Sequence, residues 1–292
     1  MAWSWKLTAS LKLTRSKLRE LRKRKPESLE GTPLNPNIVA AMRYNTQLDI
    51  LIQQMTDITL LAVKRMFYGE TAEQYFAQDE KSIVAEAKRL SNELQKRFDA
   101  LFNSKALPIA TQMVDSENRS SELAVQNSLQ KLTGGLTIPT TGLKGEIGEV
   151  LKASVAENVA LIKSIPQQYL EAVNGAVLRS ITTGNGLQDL VPFLANEKGI
   201  TLRRAKMISH DQTRKAFNSI SKGRLQAAGL AKFEWLHTGG SHQPRKDHIA
   251  MNGNVYRFDN LPVIDQKTGE RGIPGQAVNC RCRMKPIIEF EE

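Results

Sequence analysis

The sequence predicts an α+β protein, with a mainly helical body, a small β-rich C-terminal cap and an extended basic N-terminal arm. Three observations predict it. Apolar residues recur at helical spacing from residue 38 to about 228. From about 230 the pattern changes to short alternating segments joined by Gly, Asn and Pro. The first 25 residues hold nine Lys or Arg against a single acid, Glu20.

That arm carries most of the chain's formal net charge of +11. Lys17, Arg19, Arg22, Lys23, Arg24 and Lys25 form its densest stretch, suited to a polyanion or an acidic protein surface. With 40% apolar and 24% charged residues over 292 positions, the chain as a whole has the make-up of a folded protein of one large or two modest domains. No run reaches the ~20 apolar residues of a membrane span, so no membrane role is expected. The opening "MAWSWKLTASLKL" has neither the long apolar core nor the cleavage site of a secretory signal, so synthesis in the cytosol is expected.

The arm ends near residue 30, where "PESLEGTPLNPN" breaks any helix and reads as a linker. Asn37 is placed to cap a helix over 38–67. Its apolar residues, among them Ile38, Met42, Leu48, Leu51, Met55, Ile58, Leu61 and Met66, cover a face wide enough to require burial on several sides, in its own domain or against other subunits. A second helix is expected from Thr71 to about Phe102, and a third from Pro108 to about Leu132. The Gly/Thr/Pro run at 133–142 is the best domain boundary. Beyond it lie a helix from Leu143 to Ile165, another starting at Pro166, a short one over 187–194, and one over 202–228 capped by Thr201 and ended by Gly229. Then come three strand-like stretches, "AKFEWLHT", "NGNVYRF" and "RMKPIIEF".

Both cysteines of the chain, Cys280 and Cys282, lie in the tetrapeptide "NCRC", and the cap also holds three of the four histidines, His237, His242 and His248. Cys280 and Cys282 are too close to bridge each other without strain, which excludes a disulfide framework. Two thiolates with one or two imidazoles are a donor set for tetrahedral zinc, and a small cap gains from such a staple. In that reading His248, Cys280 and Cys282 are ligands, with His242 or His237 fourth. In the other, the cysteines are small buried thiols and His248 bonds a backbone carbonyl. A third reading pairs a cysteine thiolate with His248 as nucleophile and base. "DHIAMNGN" is also similar to the Asp-His start of a metal-dependent nuclease hairpin, but no histidine follows residue 248. A nuclease or thiol hydrolase therefore stands as the alternative, and no catalytic residue is assigned.

The stretch "RKDHIAMNGNVYRF…IPGQAVNCRCRMKPI" resembles the C-terminal domain of phage Mu F-like head morphogenesis proteins, also called minor capsid proteins. The matching residues are Arg245, His248, Met251, Asn252, Gly253, Pro274, Asn279, Cys280, Arg281 and Cys282. The similarity extends upstream through "RRAKMISHDQTRKAFNS" and "IPQQYLEAV", covering about 160–288. Ser241, Gln243 and Gln212 depart from the acid, arginine and glutamate that the family often carries there.

Together with the breaks in composition and charge, the resemblance divides the chain into an arm (1–30) and a helical region (31–142), which it does not cover, then the helical part of a Mu F-like domain (143–229) and the cap (230–292). It implies a structural, non-enzymatic protein of a phage virion, assembled in the host cytoplasm. The expected location is the head interior or portal vertex, in multiple copies, beside the portal protein or the major capsid protein. The arm would contact packaged DNA. Within the cap, Asn279 is expected to hold a turn that sends Cys280 and Cys282 toward His248, with Arg281 and Arg283 on the other side, open to an acidic partner.

Overall fold

The structure, a computed structural model, describes residues 28–68, 80–132, 146–239 and 244–289. In chain order these form β1 (Ser28–Glu30), α1 (Ile38–Tyr68), α2 (Glu80–Leu132), α3 (Glu146–Thr183), α4 (Leu187–Ala227), β2 (Lys232–Leu236), α5 (Lys246–Ala250), β3 (Val255–Arg257), β4 (Val263–Asp265), β5 (Glu270–Arg271) and β6 (Arg283–Glu289). The predicted α+β class holds: long helices, then a small antiparallel strand cluster. The basic arm, the Gly/Thr/Pro break and His242 lie outside the described residues.

The helix ends follow local chemistry. Asn37 caps α1 as expected, its Oδ1 accepting the Val39 amide at 2.9 Å. Gly229 (φ +91°) ends α4 with the Leu230 amide on the Leu225 carbonyl and the Gly229 amide on the Gln226 carbonyl, both at 2.9 Å. That bond pair needs a left-handed residue after the helix, which glycine adopts without steric cost.

The helix interiors correct the sequence reading. Pro108 and Pro166 do not start helices; they lie within α2 and α3. An interior proline costs about 3 kcal/mol, but burying one large apolar side chain returns about 1.5–3 kcal/mol. Phe102, Ala106, Ile109 and Ala110 flank Pro108, and Ile162, Ile165, Tyr169 and Leu170 flank Pro166, all buried. Those anchors on both sides outweigh the break. Thr201 is likewise no cap: it lies inside α4 and its hydroxyl donates to the Glu197 carbonyl at 2.9 Å. The wide face of α1 is only partly covered, with Leu48, Leu51 and Met55 buried but Ile38, Met42 and Leu61 exposed.

The chain forms two compact units interleaved in sequence. One comprises Met42–Gln112 and Val155–Ser209 and, among its described residues, is helical apart from the turn at 184–186. Its helices are tied by buried apolar side chains and by polar contacts such as the Tyr44 hydroxyl donating to Asn158 Oδ1 at 3.0 Å. The other comprises Met1–Ala41, Met113–Ser154 and His210–Glu292 and holds every described strand.

In the second unit the main sheet is antiparallel, in the order β1-β6-β2-β3. The register sets Phe233 opposite Pro286 and Trp235 opposite Met284. A smaller ribbon pairs β4 with β5. Strand β1 was read from sequence as linker; three residues of it pair with the end of β6, Leu29 opposite Ile288. Lys285 ties the sheet across its strands, bonding Glu30 at 2.8 Å and pairing with Glu234. Gly31 extends the β1 edge, its amide donating to the Pro286 carbonyl at 2.9 Å, and a Cβ there would approach Ser128 Oγ to 2.2 Å. One apolar cluster runs from Leu34 through Leu129 and Phe217 to Phe233, Trp235, Ile264 and Met284, and it includes Cys280 and Cys282.

Candidate metal centre

Three pieces of the strand-bearing unit bring the His/Cys cluster together. Helix α5 is only five residues long, and its one buried residue is His248. The turn before β6 carries the two cysteines, and β2 ends one residue before His237. Asn279 makes that turn. It is the only described non-glycine residue with positive φ (+58°), a conformation Asn tolerates better than most residues. Its amide donates to Asp211 Oδ1 of α4 at 2.9 Å, so the helix holds the turn in place. Gly275 (φ +83°) sits where a Cβ would reach Asn218 Nδ2 at 2.3 Å, and its amide donates to Cys280 Sγ at 3.4 Å.

His248, Cys280 and Cys282 are all buried, and their donor atoms lie within 4.8 Å of one another. His248 Nδ1 is 3.4 Å from Cys280 Sγ and 3.7 Å from Cys282 Sγ. Bonds of about 2.3 Å to sulfur and about 2.0 Å to nitrogen, at a tetrahedral angle, place N and S about 3.5 Å apart. The observed separations match that edge length. The other ring nitrogen, Nε2, is 3.0 Å from the Ile264 carbonyl and donates its proton there, which leaves Nδ1 as the donor atom for a metal. The carbonyl contact foreseen for a purely structural histidine thus also sets the tautomer a ligand requires. Trp235 packs edge-on against the imidazole, with ring centroids 5.3 Å apart.

Without a metal the cluster shares protons unevenly. The Cys282 thiol and the His248 ring hydrogen-bond to Cys280 and hold its thiol well below the ordinary range, against the pull of burial. The same contact with Cys280, together with burial, pushes Cys282 up. His248 is raised by its bond to Cys280, partly opposed by burial. These contacts favour charge on the Cys280 sulfur and on the His248 ring, and disfavour it on Cys282. A divalent ion replacing two protons, one from the ring and one from a thiol, would leave the net charge of the buried cluster unchanged.

The remaining motif residues organise this centre. Arg245 Nη1 donates to the Val278 carbonyl at 2.9 Å, tying the start of α5 to the turn that carries the cysteines. Asn252 Oδ1 accepts the His237 amide at 2.8 Å, and Gly253 (φ +80°) donates its amide to the Trp235 carbonyl at 2.8 Å. Asn252 and Gly253 therefore clamp the end of β2. The Thr238 hydroxyl donates to the Arg281 carbonyl. Arg281 is exposed, whereas Arg283 is not open to a partner as expected, because its Nη1 donates to Asn35 Oδ1 at 2.7 Å. Of the predicted site residues, the structure gathers His248, Cys280, Cys282 and His237; the basic residues Lys17 to Lys25 and His242 lie outside the described residues.

Asp211 escaped the sequence reading. It is buried, bonds Lys215 at 3.1 Å and anchors Asn279. Its signal was its isolation: it is the one acid in the otherwise basic stretch "RRAKMISHDQTRK".

No helix among the described residues is long and apolar enough to cross a membrane. Residues 171–285 match the family described as Phage Mu protein F like protein. An uncharacterized protein of Haemophilus influenzae is 26% identical over 273 residues, which cover 93% of this chain. The chain spans 58% of that relative's length. No solved structure matches. The matched segment contains β2, α5, the Asn279 turn and all three buried donors, so the likeness to the Phage Mu protein F like family falls on the part of the chain that builds the His/Cys cluster.

Proposed function

We propose that this chain is a minor head protein of a phage, acting in head morphogenesis as a structural component and present in multiple copies. The observation that carries the reading is the family match over 171–285, which takes in the whole His/Cys centre. Within the virion, the portal vertex or inner capsid surface is the proposed site, with the portal or major capsid protein as neighbour. The exposed Ile38, Met42 and Leu61 of α1 support a role in subunit contacts. The basic arm supports contact with packaged DNA. The tetrahedral N···S spacings support a zinc ion held by His248, Cys280 and Cys282, tying α5 to β6.

Mass spectrometry of purified particles and localisation of the chain within them test this reading. The chain should be found in the head, and its deletion should stop head assembly. A normal yield of heads without it would overturn the proposal.

The thiol-hydrolase alternative keeps one supporting observation. A cavity of about 310 Å³ borders the cluster, lined by Arg245, His248, Cys280 and Arg281 among others. It predicts that His248→Ala abolishes a hydrolytic turnover while heads still form; the structural reading predicts that the same change blocks assembly.

A further inference from the structure

We infer that His237 supplies a fourth donor to this ion, closing a Cys2His2 zinc centre that has no open position for water. The inference rests on the zinc reading above and adds the residue that decides whether the metal is structural or catalytic. Structural zinc sites take four protein ligands, whereas catalytic ones keep one position for water or substrate.

Three observations converge on His237. Its Nδ1 lies 3.5 Å from Cys282 Sγ, the same tetrahedral edge length that His248 makes with the sulfurs. Its backbone is fixed from both sides: the amide bonds Asn252 Oδ1 at 2.8 Å, and the next residue, Thr238, bonds the carbonyl of Arg281, between the two cysteines. Charge also favours an imidazole. Two thiolates and two neutral imidazoles around a divalent cation sum to zero, the least costly total for a buried site. His237 contacts Cys282 but lies outside the mutual 4.8 Å of the three buried donors, so its half-buried ring would have to turn to reach an ion they share.

In this arrangement the ion ties β2, α5 and the turn before β6 together. It links the end of one strand to the start of the strand it pairs with, where Leu236 faces Arg283. Asn252 acts as a positioning residue for His237, which gives the Asn-Gly pair after α5 a physical role.

The test uses the full chain, purified under reducing conditions. Elemental analysis should find about one zinc per chain, and X-ray absorption at the zinc edge should find two sulfur and two nitrogen neighbours. His237→Ala should weaken zinc in chelator competition by more than the ~10–100-fold typical of losing an outer-shell partner. The conservative His237→Cys should restore binding and show three sulfurs, which a purely structural role for the side chain would not produce. His242→Ala should leave affinity and ligand count unchanged. The inference is overturned if His237→Ala keeps both affinity and ligand count, or if His242→Ala is the change that loses a nitrogen. If the unaltered chain binds neither zinc nor cobalt, the three-ligand reading falls and this one with it. In that case the family-based proposal of a head protein still stands on its own particle test.

Discussion

In the helical unit the fully buried large side chains include Tyr44, Leu48, Ile52 and Met55 on α1 and Phe98 and Phe102 on α2, set three or four residues apart along each helix. In the strand-bearing unit Phe233 and Trp235 are two residues apart on a five-residue strand, and they share their core with two thiols. The first pattern repeats over many turns, so each helix buries enough apolar surface to override an interior proline. The second has short elements: α5, β3, β4 and β5 hold five residues or fewer each. Such pieces cannot hold their own positions by packing alone. The polar ties concentrate there accordingly: the Asp211–Asn279 bond, the Arg245–Val278 bond, the paired acids on Lys285 and the His/Cys cluster. Chemistry appears where regular structure is too short to suffice.

Metal removal should break this comparison most sharply. Structural zinc contributes on the order of 10 kcal/mol in small zinc domains. A strong chelator, or the double change Cys280→Ser with Cys282→Ser, should abolish the near-ultraviolet dichroism of the core around Trp235. The far-ultraviolet helical signal should largely survive. Loss of both signals together, or of neither, would show that the two units do not differ in this way.

A smaller effect should come from the opposite side. Phe98→Ala empties a fully buried site in the helical unit and should cost about 3–5 kcal/mol in denaturant melts. Zinc content should stay at the level of the unaltered chain.

The smallest effect is a pH dependence lodged in the strand-bearing unit. Glu117 is buried; its Oε2 accepts the Asn37 amide at 3.5 Å, and its Oε1 has no partner. Burial raises its pKa from 4.5 to about 8. Between those values the unfolded chain has released this proton and the folded chain keeps it, so stability falls as pH climbs through the window. Glu117→Gln should flatten that slope in urea melts at pH 5 and pH 8, and an unchanged slope would remove Glu117 as its source.

Much of this was legible in the sequence. The alternation Phe233, Trp235 gave β2, and the spacing of His248 from the paired cysteines gave the cluster, because both depend on local pattern and donor chemistry. Asn37 and Gly229 gave helix ends for the same local reason. The interior prolines misled because the deciding quantity is apolar burial on both sides of Pro108 and Pro166, which no local rule contains. Strand β1 was hidden because its partner lies at the far end of the chain; "SLE" has no strand signal until β6 is beside it. The approach of His237 to Cys282 likewise depends on tertiary contact, through Asn252.

The β1–β6 pairing has a mechanical side. β1 is the rim strand of its sheet, and the basic arm is covalently joined to it. A pull on the arm, from whatever it grips, therefore loads three residue pairs at the rim before any stress reaches the sulfurs and imidazoles. The rim would peel like a fuse and spare the knot behind it. Tension along the arm would thus be felt first as the loss of a single short strand.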